Sequence, residues 1–245
     1  MKKMKLSSKL TLIVLAATAV IMIAAFGYLY FDGLATDTKT AYSTSTLIAR
    51  ENAAMVESQL IVALDSARTL AQALGGFQDY PAEIRRDVAN SMIKKITEDN
   101  AAYMGAWAGF EPNALDGLDA QLANTAQSDA TGRFISYWFR GENGVEFAPL
   151  TGYAEAGAGD YYQLALTSGK ETVLEPYSYE INGEAVLMTS FAVPIRNAGG
   201  QVVGVAGVDM TLDALNKMSY FKGDYESTAF ALLSNMGTYV VNPDG

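Results

Sequence analysis

An unbroken apolar run from residue 10 to residue 31 constrains this chain more than any other feature of the sequence. A run of this length spans the hydrocarbon core of a bilayer as a helix. Four lysines precede it and the first charge after it is Asp32, an asymmetry that predicts a cytoplasmic N-terminus and an exported remainder. The alternative, a cleaved signal peptide, has a shorter apolar region that ends in small residues, whereas this run ends in Phe and Tyr. We therefore expect a single-pass anchor in the lipid bilayer.

Charge and composition narrow the class of function. The net charge is −10 and the first 31 residues carry four lysines and no acid, so the exported part carries −14. This balance argues against nucleic acid as a partner, because phosphate binding requires a basic surface. The absence of Cys excludes disulfides, and the absence of His excludes Ser-His-Asp and Cys-His catalysis. We expect no cofactor, no metal site and no catalytic residues.

Two helices are predicted after the apolar run. Residues 36–75 contain no Pro and, before Gly75, no Gly. Apolar residues recur there at three- and four-residue steps: Ala53, Val56, Leu60, Leu64, Ala67, Ala71 and Leu74. Two interpretations of this helix are open. Either the whole helix packs on its own domain, or its first half is a stalk that pairs with a second copy in a homodimer. A second helix is predicted at residues 81–100, with Ile84, Val88, Met92 and Ile96 on its buried face.

The sequence after Asn100 predicts strands joined by hairpins. Strands are expected at residues 103–110, 133–140, 171–179, 185–196 and 201–210, polar loops at 111–131 and 141–159, and short helices at 160–168 and 211–218. Asn182-Gly183 and Gly199-Gly200 are strong hairpin signals. No crossover helix separates residues 171 and 210, so we expect an α+β fold, an antiparallel sheet with helices on one side. A further hairpin is expected at residues 228–241, and we interpret the end at Gly245 as a truncation.

Five short motifs occur in a characteristic order: Gly132-Arg-Phe-Ile-Ser-Tyr-Trp-Phe-Arg140, Asp160-Tyr-Tyr162, Glu175-Pro-Tyr177, Thr189-Ser190 with Val193-Pro-Ile195, and Val203-Gly-Val-Ala-Gly-Val-Asp-Met210. This pattern resembles the periplasmic double-Cache sensor domain of methyl-accepting chemotaxis receptors, and the resemblance runs from Met1 to Gly245. It implies a PAS-like antiparallel sheet with flanking helices, in a non-enzymatic receptor of the inner (cell) membrane with its sensor domain periplasmic or extracellular. The implied organisation is a cytoplasmic segment at 1–9, the transmembrane helix at 10–31, a stalk helix at 36–75, a membrane-distal module at 76–220 and the start of a membrane-proximal module at 226–245.

The same motifs supply candidate ligand-binding residues: Tyr137, Trp138, Asp160, Tyr162, Glu175, Tyr177 and Asp209. Aromatic faces line ligand pockets and attract cations. Asp209 ends an apolar strand, where an unpaired carboxylate is costly; it is either a helix cap for residues 211–218 or a counter-charge, and the resemblance implies that it binds a ligand amine. Asp160 is a helix N-cap or a ligand contact, and Glu175 is a strand-edge residue or a pocket residue.

One departure from the family pattern bears on the ligand. Amino-acid-binding members carry an Arg two residues before a Trp-Tyr pair, where it holds the ligand carboxylate. In this chain the pair is Tyr161-Tyr162 and the Arg position falls on Gly159. An acidic, aromatic pocket without this Arg favours an amine, a polyamine or a purine over an amino acid.

Other classes of protein remain as alternatives. The same sensor domain occurs on histidine kinases and on cyclic-di-GMP enzymes, whose output modules would follow this chain. An exported carboxylate-dependent hydrolase would need two carboxylates roughly 5–10 Å apart in a cleft, and the acidic composition permits this.

Overall fold

The computed structural model describes residues 5–217 and 229–242, in two compact units, Met1–Ala53 and Ala54–Gly245. Helix α1 runs without interruption over Leu6–Gly75, so the predicted membrane helix and stalk helix are segments of one helix. Among the described residues, α1 is the helix long and apolar enough to cross a membrane. Residue 228 of the predicted last hairpin, the predicted module boundaries at 220 and 226, and residues 243–245 lie outside the described residues.

The second unit is built on a seven-stranded antiparallel sheet, which confirms the α+β prediction. Its strands are β1 (Gly105–Phe110), β2 (Ile135–Gly141), β3 (Gly144–Pro149), β4 (Thr172–Val173), β5 (Tyr177–Ile181), β6 (Glu184–Arg196) and β7 (Val202–Thr211). The order across the sheet is β3-β2-β1-β7-β6-β4, and β5 also pairs with β6. The described helices of this unit, besides the end of α1, are α2 (Ala82–Asp99), α3 (Asp119–Leu122), α4 (Asp160–Ser168) and α5 (Leu212–Asn216), with a 3₁₀ turn at Phe77–Asp79. A separate hairpin pairs β8 (Leu232–Leu233) with β9 (Tyr239–Val241).

The sheet buries both of its faces, in two separate cores. On one face, which we call the helix face, residues 60–74 of α1 and the buried side of α2 pack against alternate residues of β1, β6 and β7. On the other, the aromatic face, α4 packs through Tyr161, Tyr162 and Ala165 against a core that includes Trp107 and Tyr137. Because side chains alternate along a strand, neighbouring residues contribute to different cores. The expectation of helices on one side only is therefore wrong.

Helix α2 buries a different stripe from the predicted one. Ile84 is 43% exposed, and Val88, Met92 and Ile96 are only partly buried, whereas Arg86, Ala89, Ile93 and Thr97 are buried. The buried stripe contains a charged residue because Arg86 forms ion pairs with two acids of the 111–131 loop, Asp116 at 2.7 Å and Asp119 at 2.8 Å. A search for apolar residues misses a buried charge whose partners lie about 30 residues away.

Two strand predictions also need correction. The segment 141–159, predicted as a loop, contains β3, which forms a hairpin with β2 through a turn at Glu142 and Asn143. Gly144, where β3 begins, has a φ of +117°. The single strand predicted at 171–179 is two strands, because the residues up to Pro176 interrupt it and Pro has no N–H for the ladder. The turn between β5 and β6 is confirmed, with φ of +52° at Asn182 and +84° at Gly183.

Candidate ligand-binding site

Asp209 lies on the aromatic face of β7, opposite Gly105 of β1 and Ser190 of β6, and is 3% exposed. Its Oδ1 atom accepts hydrogen bonds from Trp107 Nε1 at 2.9 Å and from Ser190 Oγ at 2.6 Å. The alternative that Asp209 caps α5 is wrong, because the N-cap is Thr211, whose Oγ1 accepts a hydrogen bond from Ala214 N at 3.0 Å. Asp209 thus has no part in ending the strand or starting the helix.

The Asp209 carboxylate has no cationic partner among the described residues. Burial raises its pKa from the ordinary value of 3.8 to about 6, although hydrogen bonds from Ser190 and Trp107 favour the ionised form. Within residues 5–217 and 229–242, none of the ion pairs formed by Lys or Arg includes Asp209. A buried carboxylate held only by neutral donors retains much of its desolvation cost. A cation brought to this position would lower that cost.

Four aromatic side chains lie around the carboxylate: Trp107, Tyr137, Tyr161 and Tyr177. A fifth, Tyr179, packs edge-to-face against the three tyrosine rings. The Tyr161 ring lies 5.2 Å from the Trp107 ring and 5.6 Å from the Tyr179 ring, each in an edge-to-face arrangement. Tyr177 stacks on Tyr161 at 6.4 Å, and its hydroxyl lies 2.7 Å from Ser190 Oγ. We call these five rings with Asp209 and Ser190 the aromatic box.

The Tyr137 hydroxyl is the unused polar group of the aromatic box. It is buried and has no hydrogen-bond partner among the described residues; it lies beside the Asp209 carboxylate without normal hydrogen-bond geometry. Burial, followed by the negative charge of Asp209, raises the pKa of Tyr137 and of Tyr177. Both hydroxyls therefore keep their protons. The Tyr137 hydroxyl can donate to a bound molecule, whereas the Tyr177 hydroxyl donates to Ser190 Oγ, whose own proton goes to Asp209.

Two glycines make room for the rings. A Cβ atom at Gly207 would overlap the Trp107 ring, and one at Gly105 would overlap the Tyr137 ring. Each glycine faces the same side of the sheet as the ring that it contacts. Because glycine has no side chain, the ring can lie across the strand at that position. The Gly-Val-Asp motif therefore supplies the carboxylate and the space for the indole that binds it.

Of the residues predicted from the sequence, the structure brings Tyr137, Tyr177 and Asp209 together. It separates Trp138, which points to the helix face: its Nε1 donates to Asn90 Oδ1 at 3.1 Å, and Lys94 Nζ lies 5.2 Å from its ring centroid. Adjacent residues of a strand cannot line one pocket, so Tyr137 and Trp138 are mutually exclusive choices.

Tyr162 lies on the aromatic face but in another hydrogen-bond group. Its hydroxyl donates to Glu111 Oε1 at 2.7 Å and accepts from Arg133 Nη2 at 2.9 Å. Arg133 also forms an ion pair with Glu111 at 2.7 Å, and its guanidinium lies 4.9 Å from the centroid of the Tyr153 ring. This group fastens α4 to the end of β1 and to the loop before β2.

Asp160 and Glu175 lie apart from Asp209. Asp160 is the first residue of α4, not its N-cap, which is Gly159; its Oδ1 accepts a hydrogen bond from Gly157 N at 3.1 Å. Glu175 lines a cavity on the helix face together with Thr189 and Phe191.

Sequence reasoning missed Trp107, Tyr161, Tyr179 and Ser190. Alternation within β1 and β6 was a usable signal for two of them, because Trp107 and Ser190 fall in register with Gly207 and Asp209 of β7. Predicting Tyr161 required knowing which side of α4 packs on the sheet. Predicting Tyr179 required dividing the segment 171–179 into two strands.

Comparison with known proteins agrees with this architecture. Residues 89–217, more than half of the chain, match the family model described as methyl-accepting chemotaxis protein-like, first PDC sensor domain. The chain belongs to this family. It contains a chemoreceptor-type sensor domain with the Cache-like fold that its motifs resemble, and the family is non-enzymatic, so the hydrolase alternative is not supported.

Individual relatives are more distant. The methyl-accepting chemotaxis protein TlpQ of Pseudomonas aeruginosa is 31% identical over 149 residues, which cover 56% of this chain and 21% of TlpQ. The chain thus spans about a fifth of that curated relative. The extracellular domain of mmHK1S-Z3, described as a histidine kinase, is 32% identical with a TM-score of 0.73, covering 84% of this chain and 71% of that one. A structure named methyl-accepting chemotaxis protein X is 27% identical with a TM-score of 0.71, covering 84% and 75%.

Proposed function

We propose that this chain is the membrane-anchored sensory part of a chemoreceptor and that its aromatic box binds a small molecule bearing an amine. The observation that carries the proposal is the Asp209 carboxylate, which is buried among aromatic rings and pairs with no Lys or Arg in the part of the chain that the structure describes. An ammonium ion would supply the missing charge and would meet the negative faces of the rings. The unpaired Tyr137 hydroxyl would form a hydrogen bond with a second polar group of the ligand.

The charges around the box favour an amine over a carboxylate. On the aromatic face, the Arg133 guanidinium is engaged by Glu111 and Tyr162. The position where amino-acid-binding members of the family carry their Arg is Gly159, which has no side chain. The sensory domain of the Campylobacter jejuni chemoreceptor Tlp3, a domain of the same fold at 15% identity, is known with isoleucine bound. We propose instead that this chain accepts amines, polyamines or purines that lack a carboxylate, attracted by the negative net charge.

Calorimetry on the chain in lipid nanodiscs tests this proposal, with a panel of amines, amino acids, purines and organic acids. We expect an amine to bind and Asp209→Asn to weaken binding about 30-fold to several thousand-fold, because removing one partner of a buried charge pair costs about 2–5 kcal/mol. Glu184→Gln is the matched control, since it removes one negative charge from an exposed position of β6. Binding of carboxylates without an amine, or an unchanged affinity in Asp209→Asn, would contradict the assignment.

Two further parts of the proposal concern the membrane. The apolar segment of α1 is the anchor, in the inner (cell) membrane, with the sensor domain outside the cytoplasm; protease added to intact spheroplasts should digest that domain, and protection would refute the orientation. The receptor is a homodimer through residues 36–60 of α1, where Tyr42 and Leu47 are 74% and 57% exposed. Sedimentation with and without ligand tests this, and a monomer under both conditions would exclude it.

A second candidate function is the sensor of a histidine kinase. The extracellular domain of mmHK1S-Z3 favours it, because it is as similar to this chain as any chemoreceptor sequence compared above. The output module distinguishes the two: a cytoplasmic methylated coiled coil identifies a chemoreceptor and a catalytic ATP-binding module a kinase. Sequencing the gene beyond the codon for Gly245 decides between them.

A further inference from the structure

A cavity of about 190 Å³ lies on the helix face, between the seven-stranded sheet and the β8–β9 hairpin. Its lining comes from α1, the β4–β5 connection, β6, α5 and the hairpin: Leu60, Val173, Leu174, Glu175, Pro176, Thr189, Phe191, Leu215, Leu232, Leu233, Ser234, Asn235 and Val240. Most of these side chains are apolar, and one of them is charged. The cavity is separate from the aromatic box, because Thr189 and Phe191 project to the opposite face from Ser190.

The charged residue, Glu175, has one carboxylate oxygen without a partner among the described residues. Its Oε2 atom is buried and accepts no hydrogen bond, and no ion pair within residues 5–217 and 229–242 includes its carboxylate. A buried, unpaired carboxylate oxygen is costly, and most buried polar atoms in folded proteins have a partner. The adjacent Pro176 restricts the backbone of Glu175 to extended conformations, which limits the ways in which its side chain can leave the cavity.

We propose that this cavity binds a small primary alkylammonium ion, with the ammonium group on Glu175 and the alkyl chain among the leucines. The carboxylate provides the counter-charge, and the apolar lining suits a chain of a few carbon atoms. An ammonium group has three N–H donors. The Thr189 hydroxyl donates to Leu174 O at 2.7 Å, so its oxygen is free to accept one of them, and Ser234 supplies another hydroxyl in the lining.

Occupancy of this cavity would link two parts of the fold. Glu175 belongs to the connection after β4, whereas Leu232 and Leu233 belong to a hairpin that forms a two-stranded sheet of its own. A ligand between them adds contacts to both and stabilises the docked hairpin by mass action. The second site therefore acts on the junction between the sheet and the hairpin, and it does so without using Asp209.

Titration with n-butylammonium chloride tests the proposal, using the whole chain in nanodiscs and hydrogen exchange of the 232–241 amides as the readout. We expect butylammonium to slow exchange of the hairpin in the unaltered chain and in Asp209→Asn. Glu175→Gln should raise the concentration needed at least tenfold, whereas the control Glu180→Gln, which also removes one charge, should change it less than twofold. Glu175→Asp keeps the charge but withdraws the carboxylate, and should give an intermediate effect, which keeps the test available if Glu175→Gln does not fold.

Four results would overturn the proposal. The first is exchange of the hairpin that does not respond to butylammonium. The second is a Glu175→Gln protein that responds at the same concentration as the unaltered chain. The third is loss of the response in Asp209→Asn alone, which would assign the effect to the aromatic box. The fourth is an equal response to n-butanol, which would show that the cavity needs no charge.

Discussion

Replacement of Asp209 by Asn should make the protein more stable at neutral pH, although it removes the residue proposed to bind ligand. Asparagine keeps an oxygen for the hydrogen bonds from Trp107 and Ser190 but carries no charge. The folded-state pKa of Asp209, about 6, lies above its ordinary value of 3.8, so the native state binds the proton more tightly than the unfolded state. The stability that depends on this proton is fully present below about pH 4 and is lost as the pH rises through about 6.

The magnitude follows from the two pKa values. At 1.36 kcal/mol per pKa unit, the difference between 3.8 and about 6 corresponds to about 3 kcal/mol. Asp209→Asn should therefore exceed the unaltered protein in stability by about 3 kcal/mol at pH 7.5, and by less than about 1 kcal/mol at pH 4. A saturating amine should reverse the order at pH 7.5, because it stabilises the charged form only where Asp209 is present.

Urea unfolding followed by tryptophan fluorescence measures this difference. The chain has two tryptophans, Trp107 and Trp138, which lie in adjacent strands of the sheet, so the signal reports the sensor domain and not the membrane helix. The comparison between variants at each pH removes the contribution of all other titrating groups. A stability difference between Asp209→Asn and the unaltered protein that is the same at pH 4 and pH 7.5 would refute the reasoning.

Three more substitutions test other parts of the structure. Gly207→Ala should displace the Trp107 ring, cost about 1–3 kcal/mol of stability through overpacking and abolish amine binding in calorimetry. Arg86→Ala should cost about 3–5 kcal/mol in urea unfolding, because it leaves two acids buried without their cation. Trp138→Phe should leave amine affinity unchanged within twofold and cost about 1 kcal/mol, since it removes the hydrogen bond to Asn90 on the opposite face of the sheet.

Each of these predictions has a matched control or a contrary outcome. Gly76→Ala, at a glycine whose added Cβ would meet only an ordinary contact, should change stability little. Retained amine binding in Gly207→Ala would show that the indole position does not matter. An Arg86→Ala protein as stable as the original would mean that Asp116 and Asp119 find water or other donors. A Trp138→Phe protein with tenfold weaker amine binding would place Trp138 in the site after all.

The parts of the fold that the sequence predicted are those with a strong local signal. Gly75-Gly76 ends α1, Asn182-Gly183 turns the β5–β6 hairpin, and Asp160–Ser168 forms α4, as expected. The failures occurred where a distant contact overrides local preference. The stripe that α2 buries depends on Arg86 finding its acids in a loop, and no periodicity within α2 encodes that contact.

Prediction of the site succeeded and failed for a similar reason. Asp209 was recognisable because a carboxylate after a run of apolar and glycine residues is unusual in any fold. Trp138 was chosen with Tyr137 because both are aromatic, yet strand alternation places them on opposite faces. Trp107 and Ser190 acquire their roles only from the register of three strands, which fixes which side chains face Asp209.

The alternation of β7 has a consequence for signalling. Asp209 faces the aromatic box, while its immediate neighbours Val208 and Met210 are buried on the helix face, in the same core as Leu70 and Leu74 of α1. A single strand thus carries the proposed charge contact on one face and packs against α1 on the other. Tightly packed cores transmit small displacements instead of absorbing them. Any movement of β7 toward a cation at the proposed site must therefore repack the contacts of Leu70 and Leu74, so that β7 alone would connect that site with α1.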